Sequence, residues 1–294
     1  MHIVEMRTKV ISMGTFLCAS AYALASASSI ALLPWLLMGS ATLCIDMGTT
    51  GFNTFFDYLH GTDNHRFTVE REKVLVHEQV EPASAFFVSS FLFALAALLG
   101  LYLAYLTSWY LVPVGMICML VGFFYTAGPY PISRTPFGEA FAGLFLGSVL
   151  FLITLFVLGI PITAKEVTAS LPLLVLVGMI LSVNNGCDRI GDQDSGRRTL
   201  AVLLGKQGSL RLIAFEGWFA YMLSAILVLI GIYPWFLLLF LLVPFSLFIR
   251  SYRTMKTQGM QETTKSRSMV LINKHYLAYA LAFICTFILD YAIQ

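Results

Sequence analysis

Residues 169–194 read ASLPLLVLVGMILSVNNGCDRIGDQD. The first half is an apolar run. In the second half Asn184, Asp188 and Asp192 recur at every fourth position, which on a helix places them in one polar stripe. Crossing a hydrocarbon core about 30 Å thick takes roughly 20 apolar residues. This segment therefore reads as a membrane-spanning helix that ends in acids at the membrane surface. Carboxylates there cost several kcal/mol of desolvation unless something compensates them, so a stripe of this kind calls for a cation.

A second cluster of the same type lies upstream, in Asn53-Thr54-Phe55-Phe56-Asp57-Tyr58-Leu59-His60-Gly61-Thr62-Asp63. Asn53 and Asp57 are one helical turn apart, and Gly61 is a helix stop that brings Asp63 back toward them. Two such ends on one side of a membrane would gather four carboxylates, Asp57, Asp63, Asp188 and Asp192. Mg²⁺ suits that arrangement, because it takes hard oxygen ligands and bridges a few carboxylates to phosphate groups.

Outward from these motifs the chain is apolar throughout: 58% of its 294 residues are hydrophobic and 12% charged. A soluble domain has about 45–50% and ~25%, so a lipid bilayer is the expected surrounding. Nine spans reach crossing length, at 9–26, 29–60, 82–106, 108–128, 137–160, 169–190, 209–231, 233–251 and 274–292. The expected fold is an all-α polytopic bundle of nine transmembrane helices, a single domain over 1–294. Arg7 and Lys9 before an apolar run could head a secretory leader, but eight further spans make a first transmembrane helix the simpler reading.

Lys and Arg fall at the N-terminus, in the links after even-numbered spans, and around the link from six to seven; Lys165 alone lies on the opposite side. The positive-inside rule then puts the N-terminus and both acidic clusters in the cytoplasm and the C-terminus outside. A net charge of +2 gives no reason to expect a nucleic-acid partner. The five cysteines are scattered without CxxC or Cys/His spacing and read as small packing residues. The longest links, 61–81, 192–209 and 253–274, all fall on the acidic side.

Basic residues on that side, Arg66, Arg134, Arg197, Arg198 and Lys206, are candidates for holding phosphate oxygens. Arg134 leads them as the one basic residue of its short link. Asp46 lies seven residues before Asn53 and eleven before Asp57, which keeps it near the same helical face about 10 Å deeper. An ionisable group at that depth is a functional candidate; we expect it to face a central cavity. Glu216 raises the same question with less support.

Taken together these motifs resemble the UbiA prenyltransferase superfamily, and within it the 1,4-dihydroxy-2-naphthoate polyprenyltransferases of menaquinone synthesis. The first motif is similar to the family's Asn-x3-Asp-Tyr-x2-Gly-x-Asp. The second, continuing through Gly196-Arg-Arg-Thr199-Leu-Ala-Val202-Leu-Leu-Gly205, is similar to its second signature. Tyr125-Thr-Ala-Gly-Pro129 and Gly138-Glu139 resemble the family's link between helices four and five. The likeness covers about Asn53 to Gly205 and departs at three places: Thr54 where many members carry Asp, Cys187 where an Arg commonly precedes the motif Asp, and Arg197 for the usual Lys.

The resemblance implies a bacterial cell-membrane enzyme that transfers a polyprenyl group from its diphosphate to an aromatic acceptor, dihydroxynaphthoate foremost, with Mg²⁺ held by Asp57, Asp63, Asp188 and Asp192. Asn53 and Asn184 would orient diphosphate or metal-bound water. Phe123, Phe124, Tyr125, Phe141 and Phe145 are candidates for the prenyl path, where ring faces stabilise positive charge. Other acceptors, such as 4-hydroxybenzoate or homogentisate, are alternatives. An ion-coupled transporter is a more distant one, since it would place its acids near the midplane on broken helices.

Overall fold

The structure, a computed structural model, describes residues 9–27, 29–61, 75 and 81–293. Nine helices account for most of the described residues: α1 (Val10–Ala27), α2 (Leu32–Leu59), α3 (Pro82–Leu106), α4 (Leu111–Phe124), α5 (Gly138–Val157), α6 (Ala164–Asp194), α7 (Leu200–Leu229), α8 (Leu237–Gln258) and α9 (Glu262–Ile293). No strand occurs among the described residues. Eight of the helices are long and apolar enough to cross a membrane. The exception is α4, with 14 residues, about 21 Å of helix. The span expected at 108–128 is thus shorter, because Ser108 turns the chain with Trp109 and Tyr110 exposed, and Gly128, at φ 87°, closes its other end.

The acidic side departs most from expectation. The link expected over 192–209 shrinks to residues 195–199, and the link expected over 253–274 shrinks to residues 259–261. Apolarity ends where hydrocarbon ends, but helix hydrogen bonds continue through the interfacial layer. Thr199 caps α7 by accepting from Val202 N–H, and α7 then kinks at Gly205, whose φ is 68°. Gly259, at φ 82°, separates α8 from α9. Polar residues expected in loops therefore stand on rigid helices.

Close backbone approach sets the spacing around α6. Within α5 the residues Gly143–Val149 form a π-helical stretch, a wide turn that recurs at functional sites. A Cβ added at Gly143 would meet the Leu174 carbonyl oxygen at 2.4 Å, and one at Gly147 the Leu173 carbonyl oxygen at 2.6 Å. Small residues four apart let two membrane helices touch where lipid supplies no hydrophobic drive to bring them together. Gly48 and Gly51 do the same for α2 against Phe93 and Ser89 of α3.

Away from the acidic end, Tyr22, Phe151, Tyr233, Phe283 and Phe287 interlock at ring-centroid distances of 4.6–6.4 Å. Tyr22, Phe151 and Phe283 are among the largest fully buried side chains. This packing joins α1, α5 and α9 and leaves the opposite end to open as a cavity.

The backbone contact makes Gly147→Val costly, about 1–3 kcal/mol for overpacking. Gly100→Ala, with nothing within 4 Å of its added Cβ, should raise stability by about 0.5–1 kcal/mol. Thermal unfolding of both variants in detergent is the measurement, and equal melting temperatures would contradict the packing argument.

Candidate active site

A cavity of about 1160 Å³ opens between α1–α6 and α9. One end carries Asn53, Asp57, Asn184, Asn185, Asp188, Asp192, Arg197 and Lys265. The remainder is mostly apolar, with Phe93, Leu101, Leu111, Met116, Phe145 and Ile153 among its walls. A charged end on an apolar chamber suits an amphiphile with an anionic head and a hydrocarbon tail.

The two acidic motifs meet on one guanidinium. Arg197 donates from Nη2 to Asp57 Oδ1 at 2.6 Å and from Nη1 to Asp192 Oδ1 at 3.1 Å. Asp192 is 2% exposed and Arg197 11%, so these charges act in a medium where Coulomb forces are far stronger than in water. Burial opposes the charge on Arg197, but Asp57 and Asp192 more than offset it and raise its pKa above the usual guanidinium range. Arg197 Nε is buried without a hydrogen-bond partner, which leaves a donor for an incoming anion.

The rest of the second stripe is ordered as its spacing predicted. Asn184 Nδ2 donates to Asp188 Oδ2 at 3.3 Å, and Lys265 Nζ reaches the same oxygen at 2.7 Å. Asn53 Oδ1 accepts from the Thr126 hydroxyl at 2.7 Å, which ties the first motif to the link after α4. Asn185 donates to buried Glu139 Oε1 at 2.9 Å, so α5 holds α6 in register beside the site.

Several expected residues take other places. Arg134 does not line the cavity. Its guanidinium donates to the Ser195 carbonyl at 2.6 Å, and its own carbonyl accepts from Arg198 N–H at 2.9 Å. It clamps the turn that presents Arg197. Lys206 is exposed beside Gly259, and Arg198 is exposed. Asp63 and Arg66 lie outside the described residues. Phe123, Tyr125, Phe141 and Phe145 line the cavity, whereas Phe124 is 48% exposed. Asp46 lines it as expected. Glu216 is enclosed between helices and accepts from Ser182 at 2.9 Å.

Two departures from the family pattern find an account here. Cys187 is 1% exposed and packs in the hydrophobic core instead of lining the cavity. Thr54 is buried and bonds back to the Thr50 carbonyl. Sequence reasoning missed Lys265, because apolarity starts the last span at 274, whereas α9 begins at Glu262. Residue 265 reads as loop until the helix is seen.

Among the described residues no group of three acidic, His or Cys side chains stands ready as a metal site. Asp57 and Asp192, held one guanidinium apart, instead form a pair of hard oxygen donors. That fits Mg²⁺, which keeps water and phosphate oxygens as most of its ligands and takes one or two carboxylates from protein. Replacing the guanidinium with a shorter, unbranched apolar chain, Arg197→Met, breaks a buried pair and should cost about 3–5 kcal/mol. Millimolar Mg²⁺ should restore part of the lost melting temperature, more than in wild type. No recovery with Mg²⁺ would count against the carboxylates as metal ligands.

Comparisons with known proteins agree with this geometry. The sequence profile of the UbiA prenyltransferase family matches residues 12–275. A 1,4-dihydroxy-2-naphthoate octaprenyltransferase of Bacillus subtilis (strain 168) is 36% identical over 214 residues, 72% of this chain and 68% of that one. The enzyme of the same name from Mycobacterium tuberculosis is 29% identical over 170 residues, 58% of each chain. In fold, a UbiA homolog from Archaeoglobus fulgidus bound to GPP and Mg²⁺ superposes with TM-score 0.68 at 14% identity, over 97% of this chain and 100% of that one. The apo UbiA homolog of Aeropyrum pernix K1 gives 0.69 at 18%, over 95% and 98%. With acidic motifs converging inside a helical bundle and a family match over most of its length, the chain belongs to the UbiA prenyltransferase family of integral membrane enzymes.

Proposed function

We propose that this protein transfers a polyprenyl group from its diphosphate to 1,4-dihydroxy-2-naphthoate, with loss of the carboxyl carbon as CO₂, giving demethylmenaquinol. The observation that carries the reading is the meeting of Asp57 and Asp192 on Arg197 at the charged end of an apolar cavity. The acceptor rests on the second signature and on the names of the Bacillus and mycobacterial relatives.

The reaction breaks the bond from the allylic carbon to the diphosphate oxygen and forms a carbon–carbon bond to the ring. Asp57, Asp188 and Asp192, with Asp63 as the resemblance implies, would hold Mg²⁺, which when bound would supply neutralisation of the negative charge on the departing diphosphate. Arg197 offers its Nε–H to the same anion, and Lys265 adds a second positive charge beside Asp188. These groups are fixed by helices before the anion arrives, which makes them effective against developing charge. Ring faces of Phe123, Tyr125, Phe141 and Phe145 line the space where the allylic carbon becomes cation-like. The apolar walls exclude water, which would otherwise hydrolyse that cation. The placement of Lys and Arg in the sequence turns this end of the bundle to the cytoplasm.

Purified protein in nanodiscs with Mg²⁺, a prenyl diphosphate and dihydroxynaphthoate should form the prenylated naphthoquinol. Asp57→Ala and Asp188→Ala should each lower turnover by about 10²–10³-fold or more, and chelation of Mg²⁺ should abolish it. Turnover with 4-hydroxybenzoate in place of dihydroxynaphthoate would keep the family chemistry and overturn the acceptor. Full activity in both variants would overturn the assignment of the motifs.

The ion pairs also set a conservative-substitution outcome. Arg197→Lys keeps one charge but cannot span Asp57 and Asp192 as a fork does. Its KM for the prenyl diphosphate should rise while the acceptor KM stays unchanged; the reverse split would place Arg197 on the acceptor.

A further inference from the structure

An ion pair at the edge of the cavity takes no part in this chemistry. Lys9, 4% exposed, pairs with Asp46 Oδ1 at 2.8 Å, and also donates to Thr50 Oγ1 at 2.6 Å and the Asp46 carbonyl at 3.2 Å. Ser12 donates to the other carboxylate oxygen. An ammonium has three donors, so Lys9 has none left for a ligand. Asp46 differs. It is 13% exposed and lines the cavity with Ser12 and Thr50. Each of its oxygens accepts one side-chain hydrogen bond, where a carboxylate has about four lone-pair sites.

A buried ion pair costs more to desolvate than a packed apolar pair of like volume, which would join α1 to α2 as well. The charge is therefore better accounted for by what occupies the cavity than by helix packing. Asn273 of α9 supplies a second observation: it lines the cavity, and its side-chain carbonyl oxygen is buried without a partner. One turn on, the Tyr276 hydroxyl donates to the Ile11 carbonyl at 3.0 Å, next to Ser12. The α9 face bearing Asn273 thus meets the start of α1, where Asp46 is held.

We propose that Asp46 and Asn273 form a subsite that accepts hydrogen bonds from the phenolic hydroxyls of the aromatic acceptor. This rests on the prenyl-transfer reading above. The cavity serves two substrates, and an isoprenoid tail has no hydrogen to donate, so packing it on a carboxylate would cost desolvation with no hydrogen bond in return. A dihydroxy ring has two such hydrogens. Asp46 stands eleven residues before Asp57, about 16 Å along the α2 axis, so a ring bound there leaves the diphosphate end free. Lys9 is a positioning residue, holding Asp46 where it lines the cavity.

The test titrates dihydroxynaphthoate and its mono-O-methyl ether into nanodisc protein by ligand fluorescence, without Mg²⁺ or prenyl diphosphate, beside KM values for both substrates. Wild type should prefer the free diol by about ten- to a hundredfold, the scale of a hydrogen bond to a charged group. Asp46→Asn should lose that preference and raise the acceptor KM by the same factor, with the prenyl diphosphate KM unchanged. The double variant Lys9→Met/Asp46→Leu removes both charges without stranding either, and should behave alike. A preference for the diol that persists in either folded variant, or a change confined to the prenyl diphosphate KM, overturns the subsite. Wild-type protein that binds the diol through Asp46 yet transfers no prenyl group would sink the functional reading and leave the subsite standing.

Discussion

The structure depends on two carboxylates from different helices sharing one buried guanidinium. Asp57 ends α2 and Asp192 ends α6, and neither helix would bring an acid into a largely desolvated space without compensation. Arg197 supplies it, and its position is itself maintained. Arg134 holds the Ser195 carbonyl and the Arg198 amide, and the Arg197 amide donates to the Asp192 carbonyl at 2.8 Å. The turn between α6 and α7 is thus fastened on both sides of the residue that joins the motifs.

Around that junction the bundle uses small residues to control distance. Gly143 and Gly147 put α5 directly on α6, and the Glu139–Asn185 hydrogen bond fixes the register of the same pair beside Asn184 and Asp188. Close approach here contrasts with the open volume between α2, α4 and α5, where the cavity lies. A chamber of that size with one charged end separates two tasks: anion neutralisation at the helix ends and apolar enclosure deeper in the bundle. The Lys9–Asp46 pair adds a polar point within the second region, at the one place where α1 meets the cavity wall.

The departures from family pattern divide by direction. Cys187 and Thr54 are both buried in packed surroundings. Arg197 stands where Lys is usual, and there the change has consequence, because a fork reaches two carboxylates at once. Lys265, on the last helix, completes the cation set from the far end of the sequence.

Hydropathy and spacing alone determined the nine-helix bundle, the side on which its acids gather, and the stripes Asn53–Asp57 and Asn184–Asp188–Asp192, because apolar length and four-residue recurrence are local properties of a helix. The depth of Asp46 was legible for the same reason. What no local pattern could supply is which cations meet which acids. Arg134 led Arg197 as a phosphate ligand in sequence, and Lys265 looked like loop; only packing turned the first guanidinium onto a carbonyl, the second onto two carboxylates, and the ammonium onto Asp188. Lys9 belonged to a basic N-terminus until α1 was seen to sink it beside Asp46. Charges of opposite sign pair through space over a few ångströms, and all of these pairs but Arg197–Asp192 span 37 to 140 residues of sequence. The tertiary structure, by setting those distances, decided the site.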